Sequence, residues 1–192
     1  INDVEPGIGG KLQFGSEEES ALIQAIKFGP EEKIRETVRG IVDRMNEARV
    51  HARQQQAYIL SVANCMIQLI QQYDLNMEEI FAEDPLGPDP FTVIQSMLNR
   101  ENFSRWLYQT ALKINNALSR ERDYAARQVI EKAKQYIMDN YQDPGLSVEQ
   151  ICRYLHMSPA YFSTMFKKAT GQTYIAYLTE VRLNRAVELL NK

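Results

Sequence analysis

Apolar residues recur at helical spacing along almost the whole chain, and the alternation expected of strands is nearly absent. Ser16 followed by Glu19 reads as a capping box. Three acids stand in the first turn after it, and Leu22, Ile23, Ala25 and Ile26 follow. Gly29-Pro30 stops that helix and starts the next, which carries Ile34, Val38, Ile41, Val42 and Met45 with charges between them. A polar stretch from Glu47 to Gln56 leads into Tyr58, Ile59, Val62, Ala63, Met66, Ile67, Leu69 and Ile70. This is a strongly apolar helix, and its length predicts burial on more than one face. Asn76 is placed to cap a short helix over Met77–Ala82, and the proline-rich EDPLGPDP from Glu83 to Pro90 reads as a loop. Helical period returns over Phe91–Leu98 and roughly Glu101–Tyr141. The polar run Asn115 to Gln128 sets a domain boundary near 120–128, crossed by a connecting helix. The expected fold class is all-α.

After that boundary the helices shorten. One from Val129 to Tyr141 turns Ile130, Ala133, Ile137 and Tyr141 inward, and Asp143-Pro144-Gly145 makes a turn. Ser147 with Gln150 caps a second helix, whose Val148, Ile151, Cys152 and Leu155 face the core. It ends at His156-Met157. Ser158-Pro159, a cap followed by proline at the first helical position, opens a third helix at once. Helices joined this tightly meet at a steep angle, as in a helix-turn-helix. In the third, Phe162, Met165 and Phe166 form the inner stripe, and Ala160, Ser163, Thr164 and Lys167 fall opposite. Gly171 closes it. A long helix starts near Thr173, with Tyr174, Ile175, Leu178, Leu183, Ala186, Leu189 and Leu190 apolar. Periodicity alone leaves a plain three-helix bundle equally open.

Charge changes the picture. The 192 residues carry a formal −3, which argues against nucleic acid as a partner. The sum is uneven, however: residues 1–120 hold 12 Lys+Arg against 17 Asp+Glu, and residues 121–192 hold 10 against 8. Gln150 to Thr179 contains Arg153, Lys167 and Lys168 and no acid, a surface that would attract a polyanion. A solvated face with three ordinary cations is the competing reading. Two cysteines, Cys65 and Cys152, cannot build a disulfide scaffold and point to a reducing, cytoplasmic setting. No apolar run is long enough for a membrane span. The chain begins at Ile1 without an initiator Met, so a piece of something longer is expected.

From Leu146 to Leu190, LSVEQICRYLHMSPAYFSTMFKKATGQTYIAYLTEVRLNRAVELL closely resembles the first helix-turn-helix unit of AraC/XylS-type transcription regulators. The matching elements are Leu146-Ser147, Ser158, Tyr161-Phe162-Ser163, Phe166-Lys167-Lys168, Gly171, Tyr177-Leu178, Arg182, Ala186 and Leu189-Leu190. SPAYFSTMFKK is most similar to the YesN-type subgroup of two-component response regulators, and EEESALIQAIKFG with Trp106-Leu107 resembles, more loosely, their intermediate region. The resemblance implies sequence-specific binding to double-stranded promoter DNA, with the helix over 158–170 in the major groove. Ser158 and Pro159 open that helix, Ala160, Ser163 and Thr164 take the base-reading positions, and Lys167 and Lys168 take those of phosphate contacts. Without Arg, Gln or Asn among the readers, discrimination per residue should be modest. The implied division is a linker tail over 1–15, an acidic dimerising and signal-coupling domain over 16–125, and the helix-turn-helix unit with its bridging helix over 126–192. The family's second unit is absent from the chain, which implies weak binding at physiological salt. Implied partners are a homodimer through 16–125, an upstream receiver and its sensor kinase, and RNA polymerase.

Other chemistry is sparse. His51 and His156 have no metal-like or catalytic spacing, the two cysteines read as core, and no phosphate-cradling glycine loop or nucleophile motif is present. The expectation is therefore no enzyme, no cofactor, no catalytic residue and no metal. Two alternatives remain: an all-α interaction or dimerisation module, and a small-molecule-sensing region in which Trp106 and neighbouring aromatics line a pocket.

Overall fold

The computed structural model describes residues 12–48, 50–81 and 96–191. Among these every regular element is a helix: α1 (Ser16–Phe28), α2 (Glu31–Glu47), α3 (Ala52–Gln72), α4 (Met77–Phe81), α5 (Arg100–Asn140), α6 (Val148–Leu155), α7 (Pro159–Thr170) and α8 (Tyr174–Leu190). The expected loop over Glu83–Pro90, most of the expected helix over Phe91–Leu98, Ala82 of the short helix and residues 1–11 of the 1–15 tail lie outside the described residues. None of the helices is long and apolar enough to cross a membrane.

Internal contacts divide the chain into two compact units, Ile1–Ser119 and Arg120–Lys192, with α5 contributing its first half to one and its second half to the other. The first unit has a core of Leu22, Ile26, Ile34, Val38, Met45, Tyr58, Ile59, Met66, Ile70, Phe103, Leu107 and Ile114. Trp106 belongs to that core at 8% exposure, so it anchors packing. The expected burial of α3 is one-sided, because Leu60 and Ile67 are exposed.

Glu18 ties this unit together. The Tyr58 hydroxyl donates to its carboxylate at 3.0 Å, Arg44 pairs with it at 3.0 Å, and the Gly15 N–H reaches it at 3.5 Å. Helices α1, α2 and α3 thus meet at one half-buried carboxylate. Burial, with Glu18 beside it, pushes the Tyr58 hydroxyl's pKa well up, so it remains a donor. The start of α1 differs from expectation: Gly15, not Ser16, is the N-cap residue, and Glu18 rather than Glu19 turns back on it. Ser16 already lies in the helix, so its hydroxyl is one residue too late to cap. Elsewhere the ends close with side chains. Asn76 accepts from the Glu78 and Glu79 N–H groups, and Asn115 of α5 donates to the Ile26 carbonyl at 2.7 Å, answering an orphan group at the end of α1.

In the second unit, Ile130, Ala133 and Ile137 of α5 pack with Leu146, Ile151, Cys152, Phe162, Phe166, Tyr174, Leu178 and Val181. The last helix departs from the sequence reading. Its N-terminal half buries Tyr174, Leu178 and Val181, whereas Ile175, Leu183, Ala186, Leu189 and Leu190 are exposed. Burial pushes both cysteine thiols up, Cys65 to about 11, so they stay protonated core groups as expected.

Ile59 is fully buried at the centre of the first unit. Ile59→Ala should lower unfolding stability by about 2–5 kcal/mol through lost transfer energy and the cavity left behind. Urea titration followed by the fluorescence of Trp106 checks this, and an unchanged midpoint would contradict the core assignment.

Candidate nucleic-acid interface

The site grows from the connection between α6 and α7. Ser147 caps α6 by accepting from the Gln150 N–H at 3.4 Å while its own N–H donates to the Gln150 side chain at 3.2 Å, the capping box legible in the sequence. The helix closes by a Schellman motif. The Met157 N–H donates to the Cys152 carbonyl and the His156 N–H to that of Arg153, with His156 left-handed at φ 54°. Ser158 then accepts from the Tyr161 N–H at 3.4 Å and Pro159 takes the first position of α7, so two residues separate the end of one helix from the cap of the next.

Rotation of α7 about its axis is set by Phe162 and Phe166, one turn apart and fully buried, with ring centroids 5.3 Å from each other. Phe162 also meets Tyr174 at 6.4 Å and Phe166 meets Tyr177 at 5.4 Å, edge to face, which fastens α7 to α8. The opposite side is thereby turned outward: Ser158, Pro159, Ala160, Ser163, Thr164, Lys167 and Lys168 are all exposed. Met165 is half-buried, at the margin of the inner stripe.

The two hydroxyls of this face are not equivalent. The Thr164 hydroxyl donates to the Ala160 carbonyl at 3.0 Å, one turn back. That of Ser163 has no partner among the described residues, so it is the one free to meet an external group. Lys167 and Lys168 make no ion pair with any described residue and stand in the last turn of α7. Gly171, at φ 78°, ends the helix by donating to the Lys167 carbonyl at 2.9 Å.

The start of α8 is legible in the sequence as a helix start but not as part of this site, yet it borders the same surface. A groove of about 330 Å³ is lined by Val148, Ser163, Thr164, Lys167, Thr173, Tyr174 and Ile175. Thr173 caps α8 by accepting from the Ala176 N–H at 3.3 Å, and Ile175 is 72% exposed beside it. The cap was visible as a Thr before an apolar run. The exposure of Ile175 had no local signal, since an isoleucine in a helical pattern reads as core. Arg182 braces the far side, donating to the Tyr141 and Asp143 carbonyls at 2.8 Å each and so answering backbone acceptors beyond α5.

Residues 137–179, from the end of α5 into α8, match the family model of bacterial regulatory helix-turn-helix proteins, AraC family. Over 178 residues, 92% of the chain, the sequence is 22% identical to an uncharacterized HTH-type transcriptional regulator, YtdP, of Bacillus subtilis (strain 168). The chain spans only 22% of that relative's length. No solved structure matches it. Among the described residues, then, the chain is all-helical and carries an AraC-type helix-turn-helix unit, which supports DNA-binding transcription regulation.

The two left-handed positions flanking α7 should respond oppositely to substitution. A Cβ at Gly171 meets nothing within 4 Å, so Gly171→Ala pays only the left-handed backbone cost, about 1–2 kcal/mol. His156→Gly relieves a smaller version of the same cost, stabilising by roughly 0.5–1 kcal/mol. Thermal melts of the two variants followed by far-ultraviolet circular dichroism check the signs, and a stabilised Gly171→Ala would contradict the cap geometry.

Proposed function

We propose that this chain belongs to a sequence-specific regulator of transcription in which α7 enters the DNA major groove. The observation that carries the reading is the division of α7 itself. Phe162 and Phe166 are buried on one side, and a small, polar and basic face is exposed on the other. A helix with that outer face fits a groove about 12 Å wide without steric conflict. Ser163 offers to a base edge a hydroxyl without a partner among the described residues, Ala160 and the methyl of Thr164 suit contact with a thymine methyl, and Lys167 and Lys168 meet phosphates. Ser158 and Pro159 hold the helix entrance, where N–H groups at a helix N-terminus favour an approaching phosphate.

The wider assignment follows the sequence resemblance. Residues 126–192 form the DNA-binding unit and 16–125 a helical module that couples a signal to it and pairs with a second copy. The division of internal contacts at Ser119/Arg120 supports such a partition. The exposed apolar face of Leu183, Val187 and Leu190 on α8 supports a further element packing there, as in a regulator with two helix-turn-helix units. The form SPAYFSTMFKK favours the output part of a cytoplasmic two-component response regulator, with a receiver upstream, a sensor kinase acting on it and RNA polymerase as the downstream partner.

At low ionic strength, where phosphate contacts are strongest, the chain should retard duplexes enriched from a random pool. Lys167→Ala/Lys168→Ala should weaken binding across sequences and reduce the slope of log affinity against log salt by about 2. Ser163→Ala should relax base preference at one position, while Thr164→Val, which keeps the methyl, should leave it in place. Equal affinity and slope in the lysine double variant would overturn the phosphate assignment.

The response-regulator reading is checked separately. Treating the full-length protein with a phosphoryl donor such as acetyl phosphate should raise its affinity for the selected duplex. Unchanged affinity would remove the receiver and kinase from the proposal and leave DNA binding standing.

A further inference from the structure

Helices α2 and α5 border a groove of about 500 Å³ within the first unit, a volume in the range of small-molecule sites. Buried Val38 and half-buried Ser104 and Tyr108 line it, and four arginines stand around them: Arg35 and Arg39 from α2, Arg100 and Arg105 from α5. Only Asp43 and Glu101 oppose these four charges in the lining. A concentration of guanidinium groups in a concave site runs against its surroundings, because residues 1–120 as a whole are acidic, 17 Asp+Glu against 12 Lys+Arg.

The arginines divide into two pairs. Arg100 is held by Asp43 at 2.7 Å. Arg35 is held by Glu31 at 2.8 Å and lies over the Tyr108 ring at 4.8 Å, donating also to its hydroxyl. Tyr108 in turn donates to Glu31, so this part of the groove is already assembled. Arg39 and Arg105 are different: neither makes a hydrogen bond or ion pair with any described residue. Arg39 has Glu36 in range, but that carboxylate is bonded to Lys33 at 2.8 Å, and Arg39 is the weakest of the influences lowering its pKa. The Ser104 hydroxyl also lacks a partner among the described residues.

We infer that this groove binds a small polyanion, phosphorylated or polycarboxylic, clamped between Arg39 of α2 and Arg105 of α5. Each guanidinium presents a planar fork that matches two oxygens of a phosphate or carboxylate. Ser104 supplies a third, neutral donor. Val38 and the Tyr108 ring face the carbon part of the ligand, and the preassembled Arg35–Glu31–Tyr108 cluster keeps the wall in place. The pairing of Arg100 with Asp43 restricts the open positive charge to the two free arginines, so the site favours a compact anion over an extended one. Binding bridges α2 to α5 and so stabilises the first unit in proportion to occupancy. This reading is independent of DNA recognition by α7, and the two are measured apart.

The test uses the whole chain, with inorganic pyrophosphate and citrate as separate probes against sodium chloride of equal ionic strength. Isothermal titration should give one saturable site per chain for at least one probe, and the melting temperature should rise with that probe. A response to pyrophosphate alone assigns a phosphorylated ligand, and a response to citrate alone a polycarboxylic one. Arg39→Gln/Arg105→Gln should weaken binding at least about tenfold while melting normally without ligand. Lys132→Gln, outside the groove, should bind as the parent does. Absence of saturation with both probes would overturn the proposal, as would equal binding by the arginine double variant. So would anion binding lost instead in Lys167→Ala/Lys168→Ala, or an arginine double variant that fails only in binding duplex DNA.

Discussion

The rotation of one short helix governs what the second unit can do, and two phenylalanines set it. Phe162 and Phe166 are both fully buried and stand four residues apart, so α7 cannot turn about its axis without drawing one of them into water. Everything proposed for the outer face depends on that constraint. Ala160, Ser163, Thr164 and Lys167 are exposed because they lie opposite the buried pair, and the edge-to-face contacts with Tyr174 and Tyr177 hold the pair against α8. The left-handed His156 is a consequence of the same demand. With only His156 and Met157 between α6 and the Ser158 cap, the chain must reverse within one Schellman turn, and a non-glycine residue accepts the strained backbone to do it.

What the sequence revealed of this unit follows a simple physical division. Ser147 with Gln150, Ser158 with Pro159, Gly171 and Thr173 were all legible because each interaction closes within a few residues of its own position. The inner stripe of α7 was legible for the same reason, since helical period is local. Glu18 shows the limit. As the middle of three acids in a row it reads as a dipole-favoured helix start, yet its partners Arg44 and Tyr58 come from two other helices. Nothing within α1 announces them. Taking Ser16 as the cap was the error of the same kind on a small scale: serine is the better capping residue in general, but Gly15 is where the chain turns.

The last helix and the arginine groove were hidden for a different reason. Periodicity tells which side of a helix is apolar but not whether anything covers it. Along α8 the pattern is continuous, whereas burial stops after Val181 and leaves Leu183, Val187, Leu189 and Leu190 exposed. Composition has the same blindness. A net of −3 for the chain gives no hint that Arg35, Arg39, Arg100 and Arg105, from helices more than fifty residues apart in sequence, come to line one cavity. Local rules recover caps and stripes, while clusters assembled from distant helices need the fold.

The two basic surfaces of the molecule differ in a way that suits different anions. On α7 the cations are Lys167 and Lys168, exposed, without an ion pair among the described residues and carried on long flexible stems. A strongly hydrated ammonium of that kind acts as a point charge and adapts to a phosphate backbone whose exact position varies with the sequence beneath it. In the groove of the first unit the cations are guanidinium groups around a concave floor, two of them locked by Asp43 and Glu31. A planar fork selects two oxygens of a phosphate or carboxylate by geometry, and the locked pair fixes the wall beside Arg39 and Arg105. A surface meant only to keep the chain soluble would need neither the locking of Arg35 against Tyr108 nor two groove arginines, Arg39 and Arg105, that pair with no described residue. The choice of lysine on one unit and arginine on the other is therefore what recognition of a long polyanion at α7, and of a compact one between α2 and α5, would each require.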